Sequence, residues 1–265
     1  MKFSISGPER EQYAEDIRVL LDGELPSGWE WVNSSANSIV ARRSKPHPVY
    51  YKEFLSRSPF EGVKNFLRGS RCQRAIVKGK MLRQRGFHSP LVSCWGKKGN
   101  RHFMISEGVD ALGLGDYIRR RWEQPLSGAE ILAKRRVIRE FGRIIGELHN
   151  SGICHGDLRV NNILVQELRD HVIFYFVDNE RNGLFTKIPN RLIRKNLVQI
   201  NMVQSRYISR QDRLRFFQAY CEAYGGLSPE KNLPLIESVQ QRTAERLIKK
   251  ADKEKRAGRA STCPN

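Results

Sequence analysis

His155, Asp157 and Asn162 stand in the order H-x-D-x-x-x-x-N within residues 153–165, and Asp178 directly follows the apolar run 172–177. Each residue type has a task in phosphoryl transfer. A carboxylate such as Asp157 accepts or orients the proton of an attacking hydroxyl. Asn162, five residues on, turns back and offers its carbonyl oxygen to a divalent ion. A second carboxylate after the next strand, Asp178, ligates ions that bridge nucleotide phosphates. Magnesium takes one or two carboxylates plus phosphate oxygens and water, so this sparse set suffices. The competing reading makes Asp157 and Asn162 turn-formers, a role both residue types fill. The context points to chemistry: an amphipathic helix precedes the loop, a strand follows Asn162, and a second strand ends in Asp178.

The chemistry also needs a cation on the phosphates. Lys52 lies on the strand-like segment Val49–Phe54 and supplies one; otherwise it is one surface lysine among many. A phosphate-covering turn is expected between the first two strands, over residues 33–38. There Ser35 and Asn37 would present backbone N–H groups. This turn has no glycine, so its backbone approaches phosphates less freely. No G-x-x-x-x-G-K-[ST] occurs, which excludes a P-loop fold on motif grounds.

The elements that must hold these residues fall into two groups. Residues 29–32, 38–41 and 49–54 read as short strands, with 42–48 a turn containing two prolines. Residues 60–85 read as one or two helices interrupted at Gly69, with Phe66, Leu67, Ala75, Ile76, Met81 and Leu82 as candidate buried positions. Residues 90–96 and 101–106 read as a hairpin. Then the pattern turns helical. A short helix covers 116–122. The clearest helix covers 129–149, where Ile131, Val137, Ile138, Phe141, Ile144, Ile145 and Leu148 recur near a 3.6 period. Ser127 and Glu130 form a capping box at its start, and Gly152 ends it. Leu214, Phe216, Phe217 and Tyr220 fall on a later helix, and the tail from Arg256 is expected to be loose. The order places a seam near Glu107 and Gly108, dividing residues 1–106 from 107–265.

The 265 residues carry 47 Lys and Arg against 28 Asp and Glu, a net charge of +19. With 39% hydrophobic and 28% charged residues the chain is neither disordered nor membrane-spanning in composition. Its longest apolar run is 172–177, far short of the roughly 20 residues a bilayer requires. Residues 1–10 contain no apolar h-region, so no secretory signal is expected. Five cysteines without a C-x-x-C exclude a paired-cysteine zinc site and suggest reduced thiols in a cytoplasmic setting. The basic residues cluster. Residues 64–85 hold Lys64, Arg68, Arg71, Arg74, Lys78, Lys80, Arg83 and Arg85 with no acid, and 181–215 hold nine bases against Asp212. Such runs serve either as solvated helix faces or as an anion-binding surface.

At His155-Gly156-Asp157-Leu158, Asn162-Ile163-Leu164, Asp178-Asn179-Glu180-Arg181, Arg68-Gly69-Ser70-Arg71 and residues 49–54, the chain resembles the protein-kinase-like superfamily. More narrowly, it resembles the lipopolysaccharide kinases that phosphorylate Kdo or heptose of the inner core, from about residue 30 to 220. The resemblance implies an α+β, two-lobed protein-kinase-like fold, with a small β-rich N-lobe, a mainly helical C-lobe and ATP between them. It implies Asp157 as catalytic base, Asn162 and Asp178 as Mg2+ ligands, Lys52 on the α and β phosphates, and Glu107 with Val109 at the adenine hinge. His155 would support the loop backbone. The acceptor would be a lipopolysaccharide core sugar or another anionic glycan or lipid, met by Arg191, Arg194, Lys195 and the helix 68–85. The setting would be cytoplasmic, with possible contact at the inner face of the inner membrane.

The chain departs from that pattern in places. Asp178-Asn179-Glu180 replaces D-F-G, leaving Glu180 to join the metals or to pair with Arg181. Residues 65–85 hold no acid to meet Lys52, so its partner comes from elsewhere, with Glu61 a candidate. No A-P-E follows Asp178, which argues for a small or lipid-linked acceptor over a protein. The rivals are a kinase of proteins or of another small molecule, a pseudokinase, and a non-catalytic anion or nucleic-acid binder. The last lacks any RRM, KH or zinc signature. Residues 235–250 form either a basic amphipathic helix lying on a bilayer or a helix packed on its lobe.

Overall fold

The structure is a computed structural model and describes residues 3–56, 68–123, 125–169, 171–225 and 232–260. Glu61, Lys64, Phe66 and Leu67 lie outside the described residues. By compactness the chain divides into two units, Met1–Leu112 with Gln166–Arg181, and Gly113–Val165 with Asn182–Asn265. The sequence order sets its seam at Glu107 and Gly108; compactness sets it after Leu112 and returns 166–181 to the first unit. Contacts described below, which tie 175–181 to residues far upstream, account for that return.

In the first unit β1 (Ser4–Ser6), β2 (Trp29–Val32), β3 (Ser38–Arg43), β4 (Val49–Phe54), β5 (Val92–Lys98) and β6 (Arg101–Glu107) build one sheet. Its order is β1-β5-β6-β4-β3-β2, with antiparallel neighbours throughout. The β5–β6 hairpin turns on Gly99 and Asn100, and Gly99 takes the positive φ of +62° that such tight connections require. Side chains alternate along β4. Tyr51 sits in a core with Ala41, Phe103, Ile105 and the helix α1 (Ala14–Leu21), which contributes Ile17, Leu20 and Leu21. Phe54 joins Cys72 and Ala75 in a second cluster, which places α2 (Arg71–Gln84) there. Ser70 caps α2 in a capping box with Gln73, and Gly69 before it has a φ of +73°. Ala75 and Leu82 are buried, while Ile76 and Met81 are half-buried.

The short strand β7 (Leu112–Gly113) and the strand β9 (Ile163–Glu167) carry the chain from one unit into the other. In the second unit α3 (Leu114–Arg121) precedes α4 (Gly128–Asn150), which starts on the Ser127–Glu130 capping box and ends at Gly152, φ +77°. Strand β8 (Ile153–Cys154) pairs with β11 (Gly183–Leu184), while β10 (Val172–Phe176) belongs to the first unit. The helices α5 (Asn190–Ile200), α6 (Arg210–Ala223) and α7 (Leu233–Ala260) complete the unit. α4 and α6 pack closely. A Cβ added at Gly142 would lie 2.3 Å from the Phe216 carbonyl oxygen, and at Gly146 2.6 Å from that of Tyr220. On α6 Phe217 and Tyr220 are buried, whereas Leu214 is exposed. α7 packs on α5 through buried Val239 and through Thr243, whose Oγ1 accepts from Asn201 Nδ2 at 3.0 Å. The helix-on-lobe reading of 235–250 therefore holds for this stretch, with Ile248 exposed. The helix runs to Ala260, so residues 256–260 are helical where a loose tail is expected from the sequence.

Candidate active site

The loop after β8 is held almost entirely through its backbone. His155 is fully buried, and its Nδ1 accepts from Asp157 N at 3.2 Å. This matches the supporting role expected of His155. Asn182 Oδ1 accepts from Gly156 N at 3.1 Å. One face of α5 supplies the rest. Lys195 Nζ donates to Gly156 O at 2.7 Å, and Asn196 Nδ2 donates to His155 O at 2.7 Å. Gln199 Oε1 accepts from Leu158 N at 3.1 Å, and its Nε2 donates to Asp157 Oδ1 at 2.7 Å. Arg159 Nε also reaches Asp157 Oδ1, at 2.9 Å, but its side chain is largely exposed and fixes little. Both contacts fall on Oδ1, and the Asp157 side chain is 29% exposed.

The chain then tightens into a 3-10 turn, Val160–Asn162, between buried Leu158 and buried Ile163. This turn folds Asn162 back, and its Nδ2 donates to Asp157 O at 2.8 Å. That bond engages the amide nitrogen of Asn162 and leaves its carbonyl oxygen as the atom of donor type for a cation. Asp157 and Asn162 are brought together in the second unit, as their spacing predicts. Cys154 beside them is buried, and burial pushes its thiol pKa up. The imidazole of His149 lies behind the loop, between Tyr220 Oη at 3.0 Å and Asn196 Oδ1 at 3.1 Å.

The first unit brings Lys52 and Asp178 together. Lys52 sits on β4 between Val40 and Met104 of the flanking strands, and its ammonium pairs with Asp178 Oδ1. The Nζ also lies 5.4 Å from the Phe54 ring centroid. The acid facing Lys52 is therefore Asp178, where the sequence leaves a partner open. Asp178 has a φ of +58°, a left-handed conformation that aspartate tolerates better than most side chains. Two residues on, Glu180 is expected to pair with Arg181 or to stand near the metals. It is instead buried against Arg71, whose Nε and Nη2 both reach its Oε1 at 2.9 Å. Charge matching in the low dielectric of the interior selects the buried guanidinium over an exposed neighbour.

The expected phosphate turn is a tight one: Ser38 N donates to Ser35 O at 3.0 Å, and Ser34 Oγ to Ser38 O at 2.7 Å. Ser35 is exposed and Asn37 half-buried, and the Asn37 carbonyl accepts from Arg71 Nη1 at 2.9 Å. Glu107 ends β6, its carboxylate accepting from Leu91 N at 2.8 Å; Val109 follows, after Gly108 N donates to Pro48 O at 2.7 Å. Gln199, Asn196 and Asn182 are the residues that sequence reasoning missed, and Arg71, singled out within Arg68-Gly69-Ser70-Arg71, was not foreseen as the partner of Glu180. The signal for two of them was present: Asn196 and Gln199 fall on the buried stripe of α5 with Ile193, Leu197 and Ile200.

Among the described residues no three His, Cys, Asp or Glu side chains form a ready-made metal cluster. A Mg2+ ion shared with phosphates needs less. The carboxylate of Asp178 and the amide oxygen of Asn162 are hard oxygen donors of the type it prefers, and they fit it chemically.

The fold is protein-kinase-like, of the α+β class. A solved structure described as WaaP in complex with acyl carrier protein superposes with a TM-score of 0.63 at 15% identity, covering 92% of this chain and 99% of that one. Residues 97–220 match the model of the lipopolysaccharide kinase (Kdo/WaaP) family, so the family resemblance read from the motifs stands. The matched stretch takes in Asp157, Asn162 and Asp178 but not Lys52. A 3-deoxy-D-manno-octulosonic acid kinase from Actinobacillus succinogenes is 38% identical over 56 residues, which is 20% of this chain and 23% of that protein. The KEOPS complex subunit Bud32 of Pyrococcus abyssi is 46% identical over 43 residues, 16% of this chain and 18% of that protein. The chain thus spans less than a quarter of the length of either curated relative.

Proposed function

We propose that this chain is an ATP-dependent phosphotransferase whose acceptor is a sugar hydroxyl, Kdo or heptose, of the lipopolysaccharide inner core. The observation that carries this reading is the family match over 97–220, which encloses an Asp157 carboxylate steadied by Gln199. In this reading Asp157 receives the acceptor proton on Oδ2, since Oδ1 already accepts from Gln199 and Arg159. Lys52 moves its ammonium from Asp178 to the α and β phosphates. Asp178 and Asn162 would each offer a hard oxygen donor to Mg2+, which when bound would neutralise charge on the transferring phosphoryl group. Ser35 and Asn37 line the phosphate turn, and the backbone at Glu107 and Val109 receives the adenine.

Two features support a lipid-linked acceptor. The second unit holds a cavity of about 330 Å3 walled by Trp122, Phe141, Phe217, Ile236 and Leu247, with Arg210 also lining it. Apolar walls beside a cation suit an acyl-bearing, anionic molecule. The net charge of +19 draws the chain to the same chemistry, at an anionic membrane face. Arg191, Arg194 and Lys195 are offered to that acceptor; of these, Lys195 is already engaged with the loop, and Arg194 Nη1 donates to Ser238 Oγ at 3.3 Å.

The test uses γ-labelled ATP with lipid-linked core acceptors carrying Kdo alone or Kdo with heptose. Label is expected on one of these sugars and not on a panel of proteins. In Asp157→Asn, transfer is expected to fall by about a thousandfold or more while Mg-nucleotide affinity stays within about twofold. Full activity in that variant, or label on protein alone, defeats the proposal.

A further inference from the structure

Arg71 does something that the reaction as described leaves unassigned. It opens α2, right after the capping Ser70, and its side chain is 6% exposed. Its guanidinium addresses three separate pieces of chain. Nε and Nη2 meet Glu180 at 2.9 Å; Nη1 donates to Asn37 O at 2.9 Å and to Leu55 O at 3.2 Å. Its plane lies 5.1 Å from the Phe54 ring centroid, the same ring that Lys52 approaches from 5.4 Å. One residue therefore joins the 33–38 turn, the end of β4 and the segment that carries Asp178. A rigid planar fork with five donors can do this; a lysine ammonium, a point charge on a flexible stem, cannot satisfy the same three directions.

The neighbouring groups show that the segment is positioned, not merely buried. Asn179 Nδ2 donates to Ser89 Oγ and to Phe176 O, both at 2.9 Å, and Phe176 N donates to His88 O at 2.9 Å. Asp178, held between Phe176 and Glu180, is thereby presented in its left-handed conformation toward Lys52.

We propose that Arg71 is the positioning residue of the phosphate site, setting the 33–38 turn through the Asn37 carbonyl and the Asp178 carboxylate through Glu180. In this role the first turn of α2 brings a cation to an acid of the metal segment, and Lys52 needs no acid from that helix. The inference rests on the phosphotransferase reading above, and the experiment separates the two.

Mg-ADP binding is measured by calorimetry, and steady-state constants by transfer from ATP, in wild type, Arg71→Lys and Glu180→Gln. Arg71→Lys keeps the charge beside Glu180 but gives up the carbonyl contacts. It is expected to weaken Mg-ADP binding and to raise KM for ATP by about tenfold, with acceptor KM within about twofold. Glu180→Gln keeps the shape and removes the charge. It is expected to raise the Mg2+ concentration for half-maximal activity by about fivefold or more, with smaller change in ATP-site affinity. Melting temperatures without nucleotide report folding. A wild type that binds no Mg-ADP defeats the phosphotransferase reading itself. A wild type that binds, beside an Arg71→Lys protein with unchanged ADP affinity and ATP KM, overturns the role of Arg71. So does a variant that loses affinity for ATP and acceptor in equal measure, since that is the mark of general destabilisation.

Discussion

His149 shows how single residues around the loop are tuned. It is 2% exposed, and burial lowers its pKa from 6.5 to about 4, against a smaller opposing pull from the hydrogen bond to Asn196. Neutral imidazole suits its partners: Nε2–H donates to Asn196 Oδ1, and Nδ1 accepts from the Tyr220 hydroxyl. The unfolded chain takes up a proton near pH 6.5, whereas the folded protein resists until about pH 4. The contribution of His149 to stability is therefore complete above about pH 6.5 and is lost progressively as pH falls toward 4. The loss amounts to about 3 kcal/mol at most. Urea midpoints from pH 7 to 4.5 are expected to fall more steeply in wild type than in His149→Gln; parallel curves would count against it. At this scale the sequence was legible where spacing is local. Asp157 and Asn162 sit five residues apart, and one turn brings them together. Lys52 and Asp178 were legible by type and by position after strands. The pairing of Glu180 with Arg71 was not, because it joins residues 109 apart and depends on packing that no local pattern encodes.

α5 is the element on which the loop depends. Its adjacent Lys195 and Asn196, with Gln199 one helical turn further on, take four loop groups: the His155 and Gly156 carbonyls, the Leu158 N–H and the Asp157 carboxylate. Gln199 alone spans backbone and side chain, so it fixes the angle at which Asp157 is presented. Gln199→Ala is expected to lower kcat by about tenfold to a hundredfold, since a misplacement of about 1 Å at a reacting group costs that much. KM for ATP should move by less than about twofold, because the bonds of Gln199 go to Asp157 and Leu158 of the loop. A variant with altered KM and unchanged kcat would show that Gln199 serves binding instead. β2 to β6 and α4 could be read in advance from alternation, from the 3.6 period and from the Ser127–Glu130 cap. α1 had no cap or motif to mark it, since Tyr13 caps it without a side-chain bond. β8 and β11 are two residues each, too short for any period to show.

Across the whole molecule the excess of 19 positive charges acts at longer range than any contact. Arg119, Arg120 and Arg121 end α3 in exposed positions, and Lys249 and Lys250 are exposed on α7. Each basic residue near an anionic bilayer contributes about 1 kcal/mol or less, screened beyond about 10 Å at ordinary salt. Sedimentation with vesicles containing phosphatidylglycerol is expected at about 0.05 M salt and is expected to be lost by about 0.5 M, with no binding to neutral vesicles. Equal binding to both kinds of vesicle, or binding indifferent to salt, would remove the membrane from the proposed function. Net charge is readable from composition; the division of the chain is not, because it depends on where residues 166–181 come to rest. Those residues give the first unit its Asp178 and Glu180, so that unit is assembled from two stretches of chain with the loop of the second unit between them. A ribosome must therefore deliver the chain past position 181 before Arg71 can meet its acid. The first unit is thus translated early but finished late, and a nascent chain stopped at the seam would carry the Arg71 guanidinium without Glu180.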